Sequence, residues 1–189
     1  AYNFMDGING ITGGYSLILL IGFLYVNHFI QLFIHPYFLY FVIAALLVFN
    51  FFNFRVKARC FAGDVGSVSI AFILLFILGR LMWLTQDVRW IVFLVVYGVD
   101  TVLTIIHRLI LRENISEPHR KHAYQLLANE LKWNHLSVSF LYMILQGVIL
   151  VGYFIIPTSI QTFYLVLTIV LLSVLYIVFM KRYFKLHKG

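Results

Sequence analysis

Long apolar runs separated by short polar stretches dominate this chain, and that alternation constrains its fold more than any other feature. Runs close to the span of about 20 residues that a helix needs to cross a bilayer occupy about 11–31, 36–53, 67–85, 88–107, 136–156 and 160–180. Hydrophobic residues make up 62% of the 189 positions and charged residues only 11%, more apolar surface than a soluble core of this size could conceal. The spans lack the two-residue alternation of a membrane barrel and are predicted to be helices. The expected fold class is all-α: a polytopic membrane protein with about six transmembrane helices and an amphipathic helix at the cytoplasmic face. No secretory signal and no internal repeat is recognisable.

Lysine and arginine orient the spans. Arg55, Lys57 and Arg59 lie between the second and third spans, and Arg108, Arg112, Arg120, Lys121 and Lys132 between the fourth and fifth. Lys181, Arg182, Lys185 and Lys188 follow the sixth, whereas Arg80 and Arg89 fall toward the other face. By the positive-inside rule both chain ends and both basic loops are cytoplasmic. The net charge of +7 therefore reads as topology and not as a nucleic-acid surface. Tyr37, Trp83, Trp90, Tyr153 and Tyr183 fall near span ends and are expected as interfacial anchors; His28 and His35 lie on the outer side. The single cysteine, Cys60, excludes an internal disulfide and a cysteine-built zinc site.

Polar islands interrupt this pattern. Asn3, Asp6 and Gly7 open the chain within Asn3-Phe4-Met5-Asp6-Gly7-Ile8-Asn9-Gly10, and Asp64 lies in Phe61-Ala62-Gly63-Asp64-Val65-Gly66-Ser67. Each has a plain structural reading, an Asx-capped helix start. Each can equally present oxygen ligands to a magnesium ion, which takes one or two carboxylates together with substrate phosphates. Spacing does not separate the two. Asp100 sits inside the fourth span, where an ionisable group marks function or a pairing with Arg108, Arg80 or a neighbouring helix. His119 and His122 stand three apart around Arg120, a spacing that could place two imidazoles beside a phosphate; no acidic third ligand follows to make a zinc site. A helix is predicted from about 119 to 133, with Ser116 as cap, Pro118 early, Ala123, Leu126, Leu127 and Leu131 on one face, and Lys121, Gln125 and Lys132 off it.

Taken together, the segments Asn3–Gly10, Phe61–Ser67 and Pro118-His119-Arg120-Lys121-His122-Ala123-Tyr124-Gln125 resemble three ordered motifs of the polyprenyl-phosphate N-acetylhexosamine-1-phosphate transferases. Asp100-Thr101 followed by Arg108 resembles that family's Asp-Thr segment. The resemblance implies transfer of an N-acetylhexosamine 1-phosphate from a UDP-sugar to undecaprenyl phosphate, with release of UMP, at the cytoplasmic face of the bacterial inner membrane. It implies magnesium, with manganese as a substitute, and is compatible with a homodimer; no nucleic-acid partner is expected. Position by position, Asp64 matches the metal-binding aspartate, and Asn3 and Asp6 the polar pair of the catalytic cleft. Asn9 matches a nucleotide-contacting position, Phe61 the aromatic that stacks on uracil, and His122 the loop histidine that binds phosphate or sugar. His119 and Arg120 accompany it as substrate-binding candidates, and Asn53 matches the asparagine before the second motif with its register off by about one.

The departures are specific. The family's adjacent aspartate pair with its nearby lysine has no counterpart in residues 1–189. The chain is therefore expected to be the C-terminal part of a single transferase domain, inactive alone. Tyr124-Gln125 stand where some members carry two more histidines, which points to an enzyme that initiates a lipopolysaccharide, capsule or other cell-envelope glycan. A transporter or channel, with Asp100, Arg80 and Asp64 along an ion path, and a non-catalytic membrane scaffold are the alternatives.

Overall fold

The computed structural model describes residues 2–114 and 120–183. Among them, six helices are long and apolar enough to cross a membrane, and there is no strand. Helix α1 (Ile11–Tyr25) continues through a π-helical turn at Val26–Ile30; α2 (Pro36–Asn53) and α3 (Gly63–Thr85) follow. A 3-10 segment, Val88–Leu94, leads into α4 (Val95–Ile110). The short α5 (Ala123–Gln125) runs into a π turn at Leu126–Glu130, and α6 (His135–Ile155) and α7 (Gln161–Tyr183) complete the order. The expected spans are borne out, with α3 starting four residues early, inside the second polar motif.

Helix α1 is the most enclosed span and α2 the least. Helix α1 packs on α6 and α2, and its aromatic rings meet the fourth span face to face: Tyr15 on Tyr97 at 3.7 Å and Phe23 on Phe93 at 4.0 Å between centroids. Polar groups inside a bilayer favour partners within the protein, and Gln146 supplies several. The Tyr15 hydroxyl donates to Gln146 Oε1 at 2.6 Å, the Val96 amide donates to the same oxygen at 3.3 Å, and Gln146 Nε2 donates to the Val92 carbonyl at 2.9 Å. Gln146 thus serves backbone groups at the junction of the 3-10 segment with α4.

At the outer end, Asn27 Oδ1 accepts from the amides of Phe33 and Ile34, each at 3.0 Å, and Arg80 Nε donates to the Phe33 carbonyl at 2.6 Å. Arg89 pairs with Asp87 at 2.7 Å and donates to the Thr158 carbonyl at 2.9 Å. The two basic residues on this face are loop ties. Tyr37 and Trp83 are exposed as anchors should be, but Trp90 and Tyr153 are packed together at 5.8 Å in the core. Their expected anchoring role is corrected: both rings are buried against Phe93 and Phe154, and Trp90 Nε1 finds Thr85 Oγ1 at 2.9 Å.

The expected helix from 119 to 133 is also shorter. Ser116, Pro118 and His119 lie outside the described residues, as do Lys185 and Lys188. The described helix begins after His122, which forms a capping box with Gln125. Its π turn ends where the Leu131 amide reaches the Leu126 carbonyl, and the left-handed backbone of Lys132 (φ 56°) stops it. Leu126 and Leu127 are buried as predicted, but Gln125 is buried too, because capping draws its side chain inward.

Candidate active site

The polar motifs meet at one end of the bundle. One 3-10 turn, Tyr2–Met5, is pinned by the buried Met5 and by a 2.8 Å bond between the Tyr2 hydroxyl and Ser16 Oγ. With those two side chains inward, Asn3 and Phe4 face out. Asn3 Oδ1 accepts from Ser67 Oγ at 2.7 Å, so the first motif rests on the first turn of α3. Asp6 Oδ1 accepts from Thr12 Oγ1 at 2.6 Å, and the Gly63 amide is close enough to favour its charge. Asp64, one residue on, is exposed in the first turn of α3.

Neither motif is an Asx cap. Helix α1 is preceded by Gly10 in the left-handed region (φ 86°), and α3 by Ala62, with no capping side-chain bond at either. The two aspartates instead face one electrostatic environment. Burial pushes the Asp6 carboxyl above its ordinary range, the Thr12 hydroxyl opposes that, the charge of Asp64 adds to it, and the Gly63 amide opposes it. The Asp6 carboxyl, whose charge Asp64 disfavours, and the exposed Asp64 at the start of α3, with the Asn3 amide held against Ser67 of the same helix, form a donor set that fits one hard cation plus substrate oxygens. Among the described residues no third His, Cys, Asp or Glu joins them, so a cation here would depend on its substrate for further ligands.

The remaining candidates from the first two motifs divide. Phe61 is 73% exposed and, with Ala62, Gly66, Thr12, Phe49 and Ile70, lines an apolar cavity of about 520 Å³ between α1, α2 and α3. Asn53 is buried and structural in its contacts: Oδ1 accepts from the Gly10 amide and Nδ2 donates to the Cys60 carbonyl, both at 2.8 Å. Asn9 Nδ2 donates to the carbonyls of Arg55 at 3.0 Å and Val56 at 3.2 Å. Both asparagines therefore lock the two motif-bearing loops to each other.

The histidine segment reaches the same end from the far side of the sequence. His122 is buried, with Nδ1 3.2 Å from Asp100 Oδ1, and the Ala123 amide donates to that same oxygen at 3.2 Å. Tyr124 stacks on His122 and donates its hydroxyl hydrogen to the Phe4 carbonyl at 2.8 Å. Arg120 is exposed; His119 lies outside the described residues. Arg108 and Lys121 both bond Glu113, and these cations, Lys121 first, hold its carboxyl below the usual glutamate range. Of the expected partners of Asp100, the neighbouring helix is borne out, since Tyr142 of α6 donates to Oδ2 at 2.6 Å, and the two arginines are corrected. Neither Arg108 nor Arg80 meets it, because Glu113 and the Phe33 carbonyl engage them.

Sequence reasoning missed Thr12, Ser67, Tyr124 and Tyr142 as members of the site's framework. For Thr12 and Ser67 the available signal was a hydroxyl at the start of an otherwise apolar span, and for Tyr142 a hydroxyl within one, since such groups need partners in the membrane.

The sequence profile of a family described as Glycosyl transferase family 4 matches residues 1–82. A Bacillus subtilis (strain 168) protein, "Probable undecaprenyl-phosphate N-acetylglucosaminyl 1-phosphate transferase", is 32% identical over 150 residues, which cover 76% of this chain and 41% of that protein. The chain thus spans less than half the length of this curated relative. No solved structure matches it.

Proposed function

We propose that this chain, which belongs to glycosyl transferase family 4, forms the Asn3–Asp6–Asp64 part of a site that transfers an N-acetylhexosamine 1-phosphate from a UDP-sugar to undecaprenyl phosphate, releasing UMP. The observation that carries the reading is the convergence of the three motifs at one end of the bundle: Asn3 bonds Ser67 beside Asp64, and Tyr124 bonds the Phe4 carbonyl next to Asp6. The name of the relative supports the lipid acceptor and the sugar phosphate.

Joining two phosphate-bearing anions calls for neutralised charge and alignment more than for covalent catalysis. Asp64, with Asp6 beside it, would hold magnesium or manganese, whose charge would offset that of the diphosphate. Asn3, fixed by Ser67, presents a polar group at the same turn. Phe61 offers an exposed ring on which uracil can stack. Arg55, Lys57, Arg59 and Arg120 raise the local concentration of both anions at this face. The distribution of these cations supports a site on the cytoplasmic side of a bacterial inner membrane. Of the residues along the alternative ion path, Arg80 donates to the Phe33 carbonyl and Asp100 is engaged by Tyr142 and the Ala123 amide, which favours this reading over a transporter.

Membranes in which the native gene product carries Asp64→Asn provide the test, with labelled UDP-N-acetylhexosamine and undecaprenyl phosphate as substrates. Turnover should fall by at least about a hundredfold, the scale of one lost electrostatic stabiliser, with the protein still present at its normal level. Near-normal turnover in a folded Asp64→Asn protein would remove Asp64 from the chemistry and leave it a helix-terminal charge.

A further inference from the structure

Asp100 lies within the membrane-spanning part of α4, is 3% exposed, and gathers four polar partners. Tyr142 of α6 donates its hydroxyl hydrogen to Oδ2 at 2.6 Å. Oδ1 accepts from Thr104 Oγ1 on the next turn of α4, from the Ala123 amide, and faces His122 Nδ1, each at 3.2 Å. Since Thr104 gives its only hydroxyl hydrogen to Asp100, the 2.7 Å bond between Thr104 and Tyr176 has Tyr176 as donor, which adds α7 to the network.

We propose that Asp100 is a positioning residue: from inside the bundle it holds residues 120–130, and with them the turn bearing Asn3 and Asp6, in register. A carboxyl group buried away from water is costly unless hydrogen-bonded. Two of its partners, Thr104 and Tyr142, belong to the helices and stay if the segment departs. The other two, His122 and the Ala123 amide, belong to the segment itself. Departure would leave a buried acceptor short of partners, so the carboxyl favours docking. The effect reaches the site through covalent neighbours: Ala123 adjoins Tyr124, whose hydroxyl holds the Phe4 carbonyl between Asn3 and Asp6. Burial of Leu126 and Leu127 and the Glu113–Lys121 pair are the competing anchors of the same segment. The catalytic meaning of this role rests on the transferase reading, but the docking itself does not.

Limited trypsin digestion of the purified chain in detergent separates these anchors, because it reads cleavage after Arg120 and Lys121 without needing turnover. Cleavage after Arg55, Lys57 and Arg59 serves as the internal reference, and thermal unfolding is followed in parallel. Asp100→Ala should raise cleavage at 120–121 by about tenfold or more relative to the reference loop, the scale of a local opening that no longer strands an acceptor. Asp100→Asn, which keeps an oxygen for the Ala123 amide, should fall between Asp100→Ala and the native chain. Tyr142→Phe removes a donor that the segment does not own and should stay within about twofold of native. An unchanged rate at 120–121 in Asp100→Ala would overturn the proposal in favour of apolar packing. An equal rise in both loops, or a Tyr142→Phe effect as large as that of Asp100→Ala, would overturn it in favour of general loosening. Should Asp100→Ala fail to fold, Asp100→Asn decides alone, and a rise below about twofold there overturns the proposal. Loss of the transferase reading would leave the digestion pattern as it is, so the two failures are distinguishable.

Discussion

The hydroxyl of Tyr124 bonds the carbonyl of Phe4 at 2.8 Å across 120 positions of sequence. That bond brings the histidine segment onto the first polar motif, and it leaves little room beside the neighbouring backbone. A Cβ added at Gly7 would run into the Tyr124 hydroxyl and lie 3.2 Å from Gln125 Nε2.

Gly7→Ala should therefore cost about 1–3 kcal/mol, the range for forcing an extra methyl into a packed contact. Tyr124→Phe alone should cost about 1 kcal/mol for its lost hydrogen bond. Because the two residues touch, the double variant should cost less than the sum of the single ones. Denaturation of the purified variants measures this; strict additivity would mean that Gly7 is constrained by something other than Tyr124.

Gln146→Leu is expected to destabilise the bundle by about 2–3 kcal/mol, although it places an apolar side chain in an apolar span. The loss follows from the groups left behind: the Tyr15 hydroxyl and the Val96 amide lose a shared acceptor, and the Val92 carbonyl loses a donor. Tyr15→Phe combined with Gln146→Leu should recover part of the stability, since one orphaned hydroxyl is gone. The comparison of midpoints between the single and double variants checks the account, and a stabilising Gln146→Leu would contradict it.

Cys60 tests the orientation. It is partly exposed in the basic loop between α2 and α3, at the same end of the bundle as Asn3 and Asp64. An impermeant thiol reagent should label it in inverted vesicles and spare it in sealed right-side-out cells, with permeabilised cells as the positive control. Labelling from outside would reverse the topology and move the proposed site to the wrong face for a nucleotide sugar.

Much of the candidate site was legible in the motifs. The first two motifs lie against each other through Asn3 and Ser67, Tyr124 of the third bonds Phe4 of the first, and Phe61 is exposed. The role of the asparagines was not legible, because Asn53 and Asn9 look alike as polar residues near a motif, and only the course of the loops shows that they bind backbone. Asp100 was visible as an unusual residue, but its partner was not. Arg108 lies two turns away on the same helix, whereas His122 lies 22 positions away, and sequence distance favours the wrong one.

Taken by itself, the sequence determined the number, length and helical nature of the spans, and the segregation of charge that sets both basic loops against the neutral ones. Those properties follow from bilayer thickness and from the cost of moving charge across it, and both act on each stretch of chain locally. Only the tertiary structure decided which polar group answers which: Gln146 for Tyr15, Ser67 for Asn3, His122 for Asp100, Tyr124 for Phe4. Inside a bundle every buried donor and acceptor must be paired within the protein, but the pairing depends on how each helix is rotated and how closely its neighbours pack. Apolar surfaces that are nearly uniform around a helix leave that rotation unspecified in the sequence, so it is settled when the bundle assembles.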